Sequence, residues 1–347
     1  MEINYYILAA GILLVVFYDF TNGFHDAADM IATAVASRAM TPGIAILIVT
    51  FFTFIGPFVG GLAVADTIGK FVNLTGVTKE IAFSITFAAI LAAISYNLIT
   101  WKLGLPSSSS NSLVSGLIGA GIFSLGSSNI HWGISELMNG QIDGFMKIIT
   151  GMFFSPLVGF LAGFILMKIF LFLFRRLSAK SKIFFIITQY LTVSWLAFSH
   201  GTNDAQKGMG IIGMLLLASG VNNTFSIPDW VILLCASSIT LGTMSGGWNI
   251  IKTVGFGIYK VKLIHSIADQ IGAATVILTS SMIGAPTSTT QVVTTTLMGV
   301  GAGERPKHVR WSMVRNIFSG WLMNIPVSMI LGGLYCYLFI QLFTKIF

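Results

Sequence analysis

Two short polar motifs occur twice in this chain, in the same order. The stretch FTNGFHDAADMIA at 20–32 recurs imperfectly as FSHGTNDAQKGMG at 198–210, and GLPSSSSNSLVSGLIGAG at 104–121 recurs as GAPTSTTQVVTTTLMGVG at 284–301. Equivalent residues lie 178 positions apart in the first pair and 180 in the second. The chain therefore duplicates a half-unit and keeps polar side chains at matching places in very apolar sequence, which is typical of a transporter with its site between two related halves.

The first motif supplies carboxylates. Asp26 and Asp204 are repeat equivalents in apolar surroundings, and a carboxylate at the centre of a bilayer costs roughly 2.5–3.5 kcal/mol. Carboxylate, carbonyl and hydroxyl oxygens suit a hard cation such as Na⁺, or a proton. The alternative is a structural role, in which the two carboxylates are tied to backbone amides or to His25 and His200.

The second motif supplies hydroxyl and backbone N–H donors. Residues 107–110 and 287–290 are runs of four hydroxyl side chains, each directly after a proline that suits the first turn of a helix. There the N–H groups lack partners and the helix dipole is positive, so two such ends converging from the two halves would bind an anion. The expected donors are Ser108, Ser109, Ser110, Ser288, Thr289 and Thr290. The alternative is that these hydroxyls bond back to their own helices or to neighbouring ones.

Amide side chains of the first motif extend the predicted anion site. Asn22, Asn203 and Gln206 carry N–H groups that can donate to an anion. We also expect Gly23 and Gly201 to let the helices unwind and free carbonyl oxygens.

One pair of repeat partners differs in the sign of its charge. Asp29 and Lys207 occupy equivalent positions. For Lys207, contact with the anion and structural pairing are equally open.

The elements that carry these motifs are membrane helices. Of the 347 residues, 55% are hydrophobic and 9% are charged, against about 25% charged in soluble domains. Several windows without Lys, Arg, Asp or Glu reach the roughly 20 residues that span a bilayer, and their apolar runs, which are continuous rather than alternating, argue against a β-barrel. The net charge of +7 is explained by loop Lys and Arg that follow the positive-inside rule rather than by nucleic-acid binding.

The loops predict two inverted repeats, residues 1–174 and 183–347, joined by a basic cytoplasmic linker at 175–182. In three matched pairs a basic loop faces a nearly neutral one, as with 126–147 and 303–315. The sequence therefore predicts an all-α polytopic protein of the cell (inner) membrane with both termini extracytoplasmic. Each repeat carries transmembrane helices plus a re-entrant helical hairpin or broken helix, because the uncharged stretches 103–135 and 270–303 would run about 50 Å as straight helices.

At the repeated motifs the chain resembles the inorganic phosphate transporter family, which couples phosphate uptake to sodium or protons. The matching elements are NGFHDAA at 22–28, HGTNDAQKG at 200–208, PSSSSN at 106–111 and PTSTTQ at 286–291. The resemblance implies a homodimer in the lipid bilayer, with a phosphate site between two hairpins and cation sites beside the two aspartates.

The chain departs from that family at one matched position in each repeat. Many members carry His after the hydroxyl run, where Asn111 and Gln291 stand here. An amide carries no proton at physiological pH, whereas its oxygen can ligate sodium. The resemblance therefore implies a sodium site of Asp26, Asp204, Asn111 and Gln291, and proton coupling through the aspartates is the alternative.

The leading hypothesis is a secondary transporter rather than an enzyme. It would import phosphate by symport with sodium, by alternating access around a midplane site between the repeats, with no cofactor beyond the transported sodium. A channel, or a transporter of another oxyanion such as sulfate, uses the same donors. An intramembrane hydrolase based on His25 and Asp26, or on Ser109, does not explain why the motifs are duplicated, and the absence of a Walker loop argues against drive by ATP.

The predicted topology can be tested by labelling. A single cysteine introduced by Ser178→Cys should react with a membrane-impermeant thiol reagent in inverted vesicles and not in intact cells. The reason is that Lys and Arg hold the 175–182 linker on the cytoplasmic side. Labelling of intact cells would overturn the inverted-repeat assignment.

Overall fold

The computed structural model describes residues 2–74, 76–103, 107–176, 182–246 and 258–346. Within these ranges the chain is helical apart from short connections and one isolated bridge between Val72 and Ile130. Pro106 and Ser178, which enter the arguments above, lie outside the described residues.

Thirteen α-helices form the described part of the chain. They are α1 Glu2–Ala36, α2 Pro42–Val59, α3 Ala63–Gly69, α4 Lys79–Lys102, α5 Ser109–Leu125, α6 Ile134–Met138, α7 Gly144–Ile149, α8 Ser155–Leu173, α9 Lys182–Ser219, α10 Asp229–Ser245, α11 Leu263–Met282, α12 Thr289–Glu304 and α13 Trp311–Phe343. Seven helical stretches among the described residues are long and apolar enough to cross a membrane: 4–36, 42–59, 79–102, 144–173, 182–219, 263–282 and 311–343. The expected all-α polytopic fold is confirmed.

The two hydroxyl runs open short helices rather than full spans. α5 has 17 residues and α12 has 16, so each rises about 25 Å, less than the roughly 30 Å of a bilayer core. Their first residues, Ser109 and Thr289, are buried. Each helix therefore begins inside the protein, as a broken helix or re-entrant hairpin requires.

Glycines on the short helices let the two repeats interlock. A Cβ atom on Gly119 of α5 would lie 2.1 Å from the carbonyl oxygen of Met329 in α13, and one on Gly299 of α12 would lie 2.0 Å from that of Phe160 in α8. Gly119 and Gly299 are repeat equivalents. The first repeat's short helix thus packs on the last helix of the second repeat, and the second repeat's on the last helix of the first.

The long helices α1 and α9 show the same exchange of partners. A Cβ on Gly23 would lie 2.0 Å from the carbonyl oxygen of Ile239 in α10, and one on the equivalent Gly201 would lie 2.2 Å from that of Thr53 in α2. Both glycines lie inside continuous helices. The expectation that α1 and α9 unwind at Gly23 and Gly201 is therefore wrong: these glycines serve close helix packing, and the intact helices keep their carbonyls bonded.

The loops at one end of the helices form what we call the basic end. Ser37 after α1 donates to Gln189 near the start of α9, at 3.4 Å. Gln189 donates to Ser266 in the first turn of α11, and Lys262 before α11 pairs with Glu304 at the end of α12, at 3.0 Å. Basic residues at this end include Arg38, Lys182, Lys260, Lys262, Arg305, Lys307 and Arg310.

The opposite end collects the other loops. Lys79 at the start of α4 donates to the carbonyl of Ser219 at the end of α9, at 3.2 Å, and the Val72–Ile130 bridge joins the connections after α3 and α5. The acidic residues Asp66, Glu80, Glu136, Asp143 and Asp229 lie in or beside these connections. These five acids share the opposite end with Lys70, Lys79 and Lys147, so the excess of Lys and Arg lies at the basic end.

The glycine contacts can be tested by stability. Gly119→Ala and Gly299→Ala should each lower the melting temperature in detergent by several degrees, because the added methyl meets a backbone carbonyl and overpacking of this kind costs typically 1–3 kcal/mol. Thermal unfolding of the purified variants measures the effect.

Gly320→Ala in α13 is the matched control, because a Cβ there meets nothing within 4 Å. Alanine at an open helix position stabilises by roughly 0.5–1 kcal/mol relative to glycine. Equal melting temperatures for all three variants would contradict the interlocked packing.

Candidate functional site

The four repeated motifs meet at one buried place between the halves. The Ser110 hydroxyl, at the start of α5, donates to the backbone carbonyl of Thr287, just before α12, at 2.8 Å. Asn203 of α9 donates to the same carbonyl at 2.9 Å. The amino ends of α5 and α12 therefore converge beside α9.

Both short helices are capped by their own hydroxyl runs. The Ser108 side chain accepts the N–H of Asn111 at 3.1 Å, and the equivalent Ser288 accepts the N–H of Gln291 at 3.3 Å. In each helix the two preceding N–H groups belong to the open first turn, which offers donors to an anion. The capped ends point a positive helix dipole into the shared site.

Asp204 in α9 is surrounded by donors. Its Oδ1 accepts from Asn203 at 2.7 Å, from Lys207 at 2.6 Å and from Thr289 at 2.9 Å. Its Oδ2 accepts from Asn22 of α1 at 3.2 Å. The residue is fully buried, so these donors replace the hydration that the carboxylate loses.

Asp26 in α1 is bonded across the repeat boundary. The Thr290 hydroxyl of α12 lies 3.0 Å from Asp26 Oδ1 and 2.7 Å from Asp29 Oδ2. His25 Nδ1 lies 3.2 Å from Asp26 Oδ1, and the Ser107 hydroxyl lies 3.3 Å from His25 Nε2. Carboxylates of the first repeat are thus held by a hydroxyl of the second.

Three of these side chains could hold a cation together. One ligand atom each from Asp26, His200 and Asp204 lies within 4.8 Å of the others, and all three residues are buried. The two carboxylates and the surrounding hydroxyl oxygens are hard donors that suit an alkali cation, and His200 adds an imidazole nitrogen.

The two predicted asparagines contact the site. Asn22 accepts the Ser109 hydroxyl at 2.5 Å while donating to Asp204. Asn203 donates to both Asp204 and the Thr287 carbonyl. The structure therefore brings together Asn22, Asn203, Asp26, Asp204 and the residues of both hydroxyl runs.

Gln206 lies in the same turn of α9 as Asn203, but its side chain makes its hydrogen bonds outside the site. Its Oε1 accepts the N–H groups of Val64 and Ala65 at 2.8 and 3.2 Å, and its Nε2 donates to the Thr202 carbonyl at 2.8 Å. Gln206 thus fixes the first turn of α3, and we leave it out of the anion site.

Asn111 and Gln291 face a different space from the aspartates. Both line a cavity of 130 Å³ whose other walls are Met152, Phe153, Pro156, Phe318, Trp321, Leu322 and Ile325. These two repeat-equivalent residues therefore share one cavity. Their contribution to a cation site stays a prediction.

A buried polar track that the sequence reasoning missed leaves the site toward the basic end. Gln270 of α11 lies 3.5 Å from the Thr33 hydroxyl of α1 and accepts the Thr192 hydroxyl of α9 at 2.5 Å. Gln270 also donates to Ser266 at 3.2 Å, and Asp269 beside it is fully buried. The available signal was an acid and an amide inside an otherwise apolar helix.

Comparison with known proteins identifies the relatives of this chain. One family model, described as the phosphate transporter family, matches twice, over residues 22–186 and 174–332. A probable low-affinity inorganic phosphate transporter of Rhizobium meliloti (strain 1021) is 36% identical over 333 residues, 95% of this chain and 96% of that protein. One of the same description from Bacillus subtilis (strain 168) is 38% identical over 321 residues, 91% and 92% of the two chains.

A solved structure shares the fold. It is titled the sodium-dependent phosphate transporter, and it superposes with a TM-score of 0.84 at 24% identity, over 96% of this chain and 98% of that one. The duplicated family match covers the same two halves that exchange helices here. On its sequence and its fold, the chain belongs to the phosphate transporter family.

Proposed function

We propose that this protein is a secondary transporter that imports inorganic phosphate together with sodium. The observation that carries the proposal is the direct contact between anion donors and buried carboxylates: Thr289 donates to Asp204, and Thr290 reaches Asp26 and Asp29. Relatives named as phosphate transporters support phosphate as the anion.

The contact explains why the two substrates would travel together. A phosphate at the two helix ends would lie beside three buried carboxylates, and like charges repel strongly where the dielectric constant is low. A cation on Asp26 removes that repulsion and competes for the carboxylate oxygens that now accept the hydroxyls. The Thr290 hydroxyl is then available to donate to phosphate, so each substrate raises the affinity for the other.

Sodium is the better cation for this site. The carboxylate and hydroxyl oxygens around Asp26 suit it, and a protein of the same fold is described as sodium-dependent. Protons carried on Asp26 and Asp204 are the alternative, which the transport assay below separates.

Access would alternate between the two ends of the molecule. The excess of Lys and Arg at the basic end supports a cytoplasmic location for it, and hence two inverted repeats with both termini extracytoplasmic. The track through Thr33, Gln270 and Ser266 would connect the site with the cytoplasm. Helices locked by glycine contacts would move together as bodies rather than bend.

Transport can be tested in proteoliposomes. An inward sodium gradient should drive radiolabelled phosphate above equilibrium, while a proton gradient of equal size without sodium should not. Asp26→Asn should abolish sodium-driven accumulation because the cation loses its carboxylate, and competition by excess sulfate as strong as by unlabelled phosphate would indicate a transporter of oxyanions in general. Accumulation driven by protons alone would contradict sodium coupling, and downhill flux without coupling would indicate a channel.

The anion site can be tested with the hydroxyl runs. The double variant Ser109→Ala/Thr289→Ala should raise the phosphate concentration for half-maximal uptake about tenfold or more, since each lost hydrogen bond to a charged group is worth roughly 1.5–3 kcal/mol. Backbone donors of both helix ends remain, so uptake should weaken rather than vanish.

Ser115→Ala/Thr295→Ala is the matched control. These hydroxyls lie in the same two helices, and Thr295 bonds back to the carbonyl of Gln291 at 2.8 Å. An unchanged phosphate dependence in Ser109→Ala/Thr289→Ala would mean that the runs only join helices.

A further inference from the structure

The cation positions of the two repeats have the same geometry but opposite charge. In the first repeat, Asp26 is followed three residues later by Asp29, and Asp29 bonds Thr290 of the other repeat at 2.7 Å. In the second repeat, Asp204 is followed three residues later by Lys207, and Lys207 bonds Ser110 of the other repeat. Asp29 and Lys207 are repeat equivalents, as are Thr290 and Ser110.

Lys207 is the only buried Lys or Arg among the described residues. None of its side chain is exposed, and its ammonium lies 2.6 Å from Asp204 Oδ1. A buried ammonium is stable only when it is paired and hydrogen-bonded. The pair with Asp204 and the bond to Ser110 meet that need from both repeats.

The ammonium takes the place where a free cation would bind Asp204. Oδ1 of Asp204 already accepts from Lys207, Asn203 and Thr289. Only Oδ2 remains toward the first repeat, where Asn22 lies at 3.2 Å and His200 Nδ1 at 3.6 Å. The second position is therefore neutralised, whereas the first keeps two carboxylates and no lysine.

We propose that Lys207 is a tethered cation that substitutes for one transported cation at Asp204. The mobile cation then binds on the side of Asp26 and Asp29. The protein would move one cation fewer per phosphate than a variant with a neutral residue at 207. This inference rests on the proposed function and assigns Lys207 as the residue that sets its coupling ratio.

The first experiment counts sodium ions without requiring transport. The slope of melting temperature against the logarithm of sodium concentration reports the number of ions that the folded protein binds. Purified Lys207→Gln should show a slope larger than the wild type by about one ion, because Asp204 then needs a free cation. Lys307→Gln, an exposed loop lysine, should leave the slope unchanged.

Lys207→Gln leaves the buried Asp204 carboxylate without its partner and could prevent folding, so a double variant serves as a second test. Asp204→Asn/Lys207→Gln removes both members of the ion pair, so no buried charge is left unpaired. It should keep the wild-type sodium slope. A slope lower by about one ion would show that Asp204 binds a free sodium in the wild type, which would overturn the proposal.

The second experiment measures the coupling ratio in proteoliposomes. The sodium gradient that stops net phosphate flux at a fixed phosphate gradient gives the number of sodium ions per phosphate. Lys207→Gln should raise this ratio by about one. A higher phosphate requirement with an unchanged ratio and an unchanged slope would make Lys207 a phosphate contact and overturn the proposal.

The two measurements separate this inference from the proposed function. If wild-type vesicles accumulate no phosphate under any gradient, the proposed function fails, and the sodium slope in detergent still decides whether Lys207 replaces an ion. If the wild type accumulates phosphate and neither readout changes in Lys207→Gln, the proposed function stands and the inference fails.

Discussion

Buried carboxylates are the constraint on which the rest of the structure depends. Asp26, Asp29 and Asp204 are buried inside the protein. A buried carboxylate without hydrogen-bond donors would destabilise the fold by several kcal/mol, on the order of the cost of burying an isolated charge. Each of the three accepts at least one hydrogen bond from an element other than its own helix. Satisfying these groups therefore fixes α1, α9 and the amino ends of α5 and α12 around one point.

Close helix packing makes that meeting possible. Gly23 and Gly201 bring α1 and α9 against the backbones of α10 and α2, and Gly119 and Gly299 do the same for the short helices. In a bilayer the lipid tails are as apolar as the side chains, so association relies on such contacts and on interhelical hydrogen bonds. The same glycines that stabilise the fold thus hold the donors at bonding distance.

Duplication set the geometry of the site, and later divergence set its charge. Thr290 and Ser110 reach across the repeat boundary in the same way, yet one meets Asp29 and the other meets Lys207. A symmetric frame can therefore hold an asymmetric charge distribution.

The sequence alone determined the membrane class and the duplication, and it singled out the polar residues of the candidate site. Long apolar spans and repeated acids in apolar sequence can be recognised without knowledge of any tertiary contact. The sequence also predicted that helices begin at the hydroxyl runs after the two prolines, and the structure starts them within those runs, at Ser109 and Thr289. Only the tertiary structure decided how donors and acceptors pair. Gln206 holds α3 instead of the site, Gly23 and Gly201 pack helices instead of unwinding them, and Lys207 neutralises Asp204. Each of these depends on an element more than a hundred residues away or on the direction of a side chain, and spacing within a helix does not specify either.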